Sequence, residues 1–527
     1  MTSTSTSPTT APGAPTVVPA AEPDTTDRLL DRLIPGRVVF GTALLGLVGS
    51  ALLAITAVGA GGILVTDPLI TGGPLSWIRY GHGRDLATAV LYVAVGLIVW
   101  AWVRLGRQVL AGAANGRDVL AAGGLWMAPM LFSPPLFTRD VYSYLAQGAL
   151  ALRGLDPYAV GPAELPPGPI ADNVHYLWQT TPAPYGPLFI LIAKVMNWLT
   201  DEDAIVGVIG MRIVLLSGLA LLIYALPRLA DHLGGNRAVT LWLVVANPMT
   251  VVHLVGGPHN DLLMIGLLAM GTLLVLQRRH AGGIALATVA MAVKASAGVA
   301  LPFLVLIWAR RLPGSGWARV LRAGAAAVGV FAVVFTGITL VSGVGLGWIP
   351  ALNAPSLIVN WMSLPTGAGQ LAHTLTSPFH DVPVAAFIKV FRLLGSALFL
   401  VILARQWWLA RDGEAEAVRR GAIALLWAAL LAPATLPWYL TWALALSAAL
   451  MWRPRALAAV VAGSTWLLLC TYPTGESGLN SWPYQIGIMA LSALAAVSLL
   501  RRDPLRLNPS RAAAGTDEQA PAPTQAA

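Results

Sequence analysis

The sequence predicts an all-α integral membrane protein, a polytopic bundle of about fourteen transmembrane spans. Three observations predict it. Of 527 residues, 56% are hydrophobic and only 11% are charged, which is too apolar and too sparsely charged for a soluble chain of this length. Apolar runs of about 20 residues recur from end to end. Arginines gather at the ends of those runs rather than along one stripe, so the net charge of +9 points to positively charged cytoplasmic loops and not to nucleic acid.

Residues 1–27, rich in Ser, Thr, Pro and Ala, bury too little apolar surface to fold and read as a disordered cytoplasmic tail. The first apolar run, from about Val38 to Gly61, follows this long polar leader and is long enough to span, so no cleavable signal is expected. Arg28, Arg32 and Arg37 put the N-terminus in the cytoplasm. Spans near 38–60, 86–104 and 118–134 then leave a main extracytoplasmic loop at 135–203 with interfacial helices. The later basic clusters reach the cytoplasmic side only if "YGPLFILIAKVMNWL", Tyr185 to Leu199, does not cross. From Pro187 to Leu199 a helix covers about 19 Å against a hydrocarbon core of about 30 Å, and this stretch is expected to lie along the outer interface. Spans follow from about Ala204 to Arg228 and near 238–255, 260–277, 283–296, 298–309, 321–342, 384–405, 420–433, 438–452, 456–472 and 484–500. The pair at 283–309 is short enough to require a hairpin buried by its neighbours. One transmembrane domain thus occupies 38–500, followed by a second cytoplasmic tail at 508–527. Cys470 is the sole cysteine, so no internal disulfide forms.

The stretch "SPPLFTRDVYSYLAQG", residues 133–148, places polar groups directly after the third apolar run. On a helix starting at Asp140, the residues Asp140, Ser143, Tyr144 and Gln147 share one face, and Val141, Leu145 and Leu152 share the other. This predicts an amphipathic helix on the outer membrane surface with a carboxylate at its N-terminal end. Asp140 is there either a functional carboxylate or merely a cap or a partner of Arg139. Arg212 in "GMRIVLL" and Lys294 in "MAVKASAG" are cations at membrane depth, which either snorkel or hold an anionic partner. Two cations facing an outward cavity suit a phosphate. The turn with His259, Asn260 and Asp261 reads as a polar site or as a plain capped helix start. Trp348, Trp361, Trp438, Tyr439 and Trp482 read most simply as an interfacial aromatic belt, with sugar stacking by one or two of them as the alternative. The sequence contains no Walker loop, HExxH, CxxC set, nucleophile elbow or convincing set of metal ligands. A carboxylate, phosphate-binding cations and aromatic surfaces beside a lipid-accessible cavity fit transfer of a sugar from a lipid phosphate. One base near the acceptor hydroxyl and cations on the departing phosphate suffice for that chemistry.

The segments "TRDVYSYLAQGALALRGLDPYAVGP", "APYGPLFILIAK", "NPMTVVHLVGGPHND", "AVKASAGVALPFLVLIW", "NWMSLPTGAGQLAHTL" and "LPWYLTWAL" resemble the actinobacterial polyprenyl-phosphomannose-dependent α-(1→6)-mannopyranosyltransferases. These are GT-C glycosyltransferases of the MptA and MptB type. The resemblance runs from about residue 38 to 500 and leaves the tails uncovered. It implies a GT-C bundle with its active site on the outer face of the plasma membrane, a polyprenyl-phosphate-mannose donor, and a mannosylated phosphatidylinositol or mannan glycolipid acceptor. Transfer would invert the anomeric centre and build α-1,6 links of the lipomannan and lipoarabinomannan core, with no cofactor and no divalent metal. "GLDPYAVGP" and "GVALPFLVLIW" look more like the type that extends the mannan backbone than the type that starts it.

With the residue reading beside it, the resemblance implies Asp140 as base and Arg212 and Lys294 on the donor phosphate. Substrate contacts fall to Arg139, Tyr144, Tyr185, His259, Asn260, Asp261, Trp361, Trp438 and Tyr439. Many members carry two adjacent acidic residues where this chain has Arg139 and Asp140, which leaves open whether a second carboxylate, Asp261 or Asp156, assists. Two alternatives stand beside this reading. A transporter or flippase of a lipid-linked sugar predicts an inverted repeat and midplane ionisable groups, and a GT-C transferase for another lipid-linked sugar, such as a pentose, differs only in a few hydroxyl contacts.

Overall fold

The computed structural model describes residues 36–61, 73, 76–379 and 381–501. The tails expected at 1–27 and 508–527 lie outside the described residues. Within them the chain is helical, with no strand beyond one isolated bridge between Thr471 and Ser477.

Helices α1 (Arg37–Ala60), α2 (Gly81–Leu110) and α3 (Gly116–Met127) open the bundle. The third is shorter than the expected span at 118–134. Asn115 and Asp118 close a reciprocal capping box at its start, and Pro129 turns its end into a 3-10 turn. Asp118 Oδ1 also accepts the backbone N–H of Gly36 at 2.9 Å, tying the starts of α1 and α3 together. The chain then enters α4 (Asp140–Leu152), α5 (Pro187–Thr200) and α6 (Ala204–Leu233).

Helix α4 starts at Asp140 as its spacing predicts, but it does not lie on a surface. Every residue from Val141 to Ala151 is buried. The reason is Gly148, which has no side chain: a Cβ there would stand 2.3 Å from the carbonyl of Ala193, so the backbones of α4 and α5 touch. Asn197, expected on an interfacial helix, instead donates to the carbonyls of Leu145 and Ala193, both at 2.8 Å. Helix α5 is the short element expected, and it exposes Val195, Trp198 and Leu199.

Beyond α6, the segments α7 (Arg237–Val244) and the wider turn Met249–Gly256 are bent against each other by 49°. Asn247 sits in the break, where its Oδ1 takes the N–H of Met249 at 2.9 Å and its amide donates to Leu243 O and Ser464 Oγ. Trp242 and Trp102 stack at 5.3 Å and exchange indole N–H bonds with each other's carbonyls. Helix α8 (Asp261–Leu276) crosses α6 where Gly218 and Gly266 meet backbone to backbone.

The stretch at 283–309 is a hairpin of α9 (His280–Val293) and α10 (Leu301–Arg310), broken at Lys294 by extended backbone. His280, at the start of the first helix, stacks on Trp308 near the end of the second, so the chain doubles back. There follow α11 (Gly316–Ser342), α12 (Leu364–Thr376), α13 (Val384–Leu409), α14 (Glu414–Leu431), α15 (Thr441–Ser447), α16 (Pro454–Leu469) and α17 (Trp482–Leu500). Among the described residues, six helices are long and apolar enough to cross a membrane: α1, α2, α6, α11, α13 and α17; the bent pair makes up to seven. The expected spans at 118–134, 260–277, 420–433, 438–452 and 456–472 correspond to the shorter α3, α8, α14, α15 and α16.

Candidate active site

The segment before α4 turns sharply at Phe137, whose φ of 57° is left-handed, and delivers Thr138, Arg139 and Asp140 into the interior. The Thr138 hydroxyl accepts the backbone N–H of Asp140 at 3.1 Å. Neither Arg139 nor Asp140 caps the helix with its side chain, and among the described residues the two form no ion pair. The Asp140 carboxylate instead faces His259, with Oδ2 3.5 Å from Nδ1. Burial pushes this carboxyl up to about 6. The Lys294 charge and the Thr138 hydrogen bond oppose that rise, and the Asp261 charge adds to it.

Lys294 owes its position to the break between α9 and the turn that follows, and Asp261 to the first turn of α8. The Lys294 ammonium lies 2.8 Å from both oxygens of Asp261 and 3.4 Å from Asn260 Oδ1. It also sits over the rings of Tyr439 and Trp442, at 4.9 and 5.5 Å. Trp442 donates its indole N–H to Asp261 Oδ1 at 2.5 Å. The imidazole of His259 stacks on Trp438 at 3.7 Å, and its Nδ1 is also 3.5 Å from the Tyr144 hydroxyl.

Two cavities meet at Asp140. The first, of about 220 Å³, is lined by Asp140, Ser143, Gln147, Tyr185 and Lys294, with apolar walls from Val299, Leu352, Ala428 and Leu436. The second, of about 310 Å³, is more polar: Arg139, Asp140, His175, Asn360, Glu476 and Ser477 line it. Asp140, Trp178, Ile358, Leu436 and Trp438 belong to both. Ser143 Oγ, Gln147 Oε1 and Ser296 Oγ, all on residues of the first cavity, have no hydrogen-bond partner among the described residues. His175 Nε2 stands 3.7 Å from Glu476 Oε1 across the second.

Asp140, Tyr185, Lys294, Trp438 and Tyr439 are thus brought together around the first cavity, and Arg139 opens onto the second. Tyr144, His259, Asn260 and Asp261 stand immediately behind the wall, buried. Three expected residues lie apart. Arg212 is buried and spends its guanidinium on the carbonyls of Leu131, Val255 and Gly256, at 2.9, 3.3 and 2.7 Å, and it lines neither cavity. Trp361 donates to Leu479 O, stacks on Trp482 and packs at a tilt against Trp466. Asp156 caps its own turn through the N–H of Tyr158 at 2.9 Å and is in neither cavity. Trp178, His175, Glu476 and Trp442 were not singled out from the sequence. They stand in loops or in helices of four to seven residues, too short to show a period.

Residues 43–310 match the family described as "Alpha-(1->6)-mannopyranosyltransferase, N-terminal domain", and residues 365–501 match "MptB C-terminal domain". The chain is 43% identical over 470 residues to alpha-(1->6)-mannopyranosyltransferase A of Mycobacterium tuberculosis, covering 88% of this chain and 91% of that protein. It is 34% identical over 411 residues to alpha-(1->6)-mannopyranosyltransferase A of Corynebacterium glutamicum, covering 74% and 84%. Against alpha-(1->6)-mannopyranosyltransferase B of the same organism it is 30% identical over 501 residues, covering 89% and 82%.

Proposed function

The chain belongs to the α-(1→6)-mannopyranosyltransferase family, and from that premise we propose that it moves mannose from polyprenyl-phosphate-mannose to a mannan glycolipid or mannosylated phosphatidylinositol, with inversion, in lipomannan and lipoarabinomannan core synthesis. It is a membrane mannosyltransferase, and the transporter alternative falls with that membership. The single observation that carries the finer reading is the place of Asp140, shared by a mostly apolar cavity lined by Lys294 and a more polar cavity lined by Arg139, His175 and Glu476.

In this reading the lipid-linked donor occupies the first cavity. The prenyl chain takes the apolar walls, the phosphate approaches Lys294, and the unpartnered Ser143, Gln147 and Ser296 take sugar hydroxyls. The acceptor enters the second cavity beside Arg139, His175 and Glu476. Its 6-hydroxyl gives its proton to Asp140 while its oxygen attacks the anomeric carbon, and the bond from that carbon to the phosphate oxygen breaks on the opposite face. Polyprenyl phosphate leaves toward Lys294. Asp261 carries no proton in this scheme; it fixes Lys294. Arg212 ties backbone carbonyls together rather than holding the phosphate. No cofactor or metal ion is needed.

The arginine clusters favour cytoplasmic termini and an extracytoplasmic site in the plasma membrane, with the shorter apolar helices completing about fourteen crossings. The higher identity to two proteins named A favours the chain-extending type. A cell-free assay with a panel of polyprenyl-phosphate sugars, followed by linkage analysis, tests the proposal. Mannose transfer with 1,6 linkage is expected. Use of a pentose donor in preference to mannose would overturn the donor assignment.

A further inference from the structure

We propose that His259 is a positioning residue for Asp140: its imidazole, protonated at Nδ1, donates to Oδ2 and holds the carboxylate for the acceptor hydroxyl. The inference rests on the reading of Asp140 as the base. Nothing in that reading required a role for the imidazole itself.

The ring has little freedom. It is fully buried, it lies on the Trp438 indole with centroids 3.7 Å apart and planes 24° from parallel, and His253 packs at 6.5 Å. Its orientation sets Nδ1 equally far, 3.5 Å, from Asp140 Oδ2 and from the Tyr144 hydroxyl. Nε2 is buried and has no partner among the described residues.

These facts separate the two tautomers. If the proton sat on Nε2, a buried N–H would go unsatisfied and the Nδ1 lone pair would face a carboxylate oxygen. With the proton on Nδ1, the donor meets an anion, which is the stronger class of hydrogen bond, and only a lone pair is left over. The Tyr144 hydroxyl then turns to the Tyr185 hydroxyl, within hydrogen-bond reach on the same side. A separation of 3.5 Å is long for such a bond, and bonds of this kind tighten when substrate closes the site. Trp438 lines both cavities, so either substrate presses on the plate that holds the imidazole.

The side chains of Asn and Gln give a direct test. Asn places its amide N–H where Nδ1 stands, whereas Gln reaches toward the place of Nε2. The readout is the acid limb of kcat/KM against pH for mannose transfer by the full-length enzyme in membranes. Charged and titratable groups that face Asp140 besides His259 are Lys294, Asp261, Tyr144, Tyr185 and Tyr439, with His253 behind and Arg139, His175 and Glu476 around the second cavity; all are unchanged in these variants. Loss of the donated bond destabilises the carboxylate, so His259→Gln is expected to move the limb upward by about one pH unit and to lose about tenfold at about pH 5. His259→Asn is expected to keep the wild-type limb. Equal limbs for Asn and Gln, in either direction, overturn the proposal. Should neither variant accumulate, Tyr144→Phe decides: its limb stays in place if Nδ1 donates to Asp140, and an upward shift overturns the assignment. Asp140→Asn runs in parallel. Turnover in that variant defeats the base reading itself, whereas an inactive Asp140→Asn with unmoved His259 limbs defeats only the positioning role.

Discussion

Lys294 and Asp261 form an ion pair at 2.8 Å in which the aspartate side chain has no exposure and the lysine side chain keeps 13%. The pair joins the tip of the α9–α10 hairpin to the first turn of α8, and its open side is the first cavity. Breaking a buried pair by removing one partner costs about 3–5 kcal/mol, because the other charge is left alone, whereas neutralising both is far milder. Lys294→Ala should therefore lower thermal stability in detergent more than Lys294→Met combined with Asp261→Asn. Both proteins should show weakened donor use, read as a raised apparent KM. An unchanged KM in both would detach Lys294 from the phosphate.

Burial outweighs the nearby ammonium and raises the Asp140 carboxyl to about 6. A base works only when ionised, so a folded-state value of about 6 predicts that kcat/KM is sustained above that pH and falls as pH drops through it. Asp140→Asn should cost at least about a hundredfold in mannose transfer at unchanged protein level, the usual scale of base catalysis. A pH profile flat down to about 4, the ordinary carboxylate range, would remove Asp140 from that role.

Arg212 shows where sequence and structure part. A lone cation in an apolar run looks the same whether its partner is a ligand phosphate or the carbonyls of a distant turn, and here the partners lie 43 to 81 residues away. Asp140, Ser143 and Gln147 were legible because helical spacing alone puts them on one face, and the structure turns that face into a cavity wall. Lys294 was legible as a hairpin tip because two short apolar runs flank it. The same spacing misjudged the surroundings of α4, since periodicity reports a polar face without saying whether water or a cavity meets it. The second cavity draws on segments near 138, 176, 358, 437 and 476, a long-range assembly that no local pattern encodes.

The carbonyl clamp makes its own prediction. Arg212→Met removes the donors of three carbonyls, each costing about 1–3 kcal/mol when left unsatisfied, so the protein should melt at a lower temperature. Activity per folded molecule and donor KM should stay close to wild type. A KM effect as large as that of Lys294→Ala, without loss of stability, would return Arg212 to the donor phosphate.

The interior position of α4 depends on Gly148. A methyl group there would stand 2.3 Å from the carbonyl carbon and oxygen of Ala193 and 2.6 Å from Asn197 Nδ2, and backbone atoms cannot yield as a flexible side chain does. Gly148→Ala must push α4 off α5 and strain the Asn197 bonds to Leu145 and Ala193. Overpacking of this kind costs about 1–3 kcal/mol or more, even though alanine is the better helix former. Because Asp140, Ser143 and Gln147 ride on the same helix, the displacement reaches both cavities: Gly148→Ala should lower thermal stability and kcat together. Gly124 provides the control, since a Cβ at that helical position meets nothing within 4 Å, and Gly124→Ala should leave both unchanged or slightly improve stability. Equal behaviour of the two variants would mean that α4 is not packed against α5 at that point.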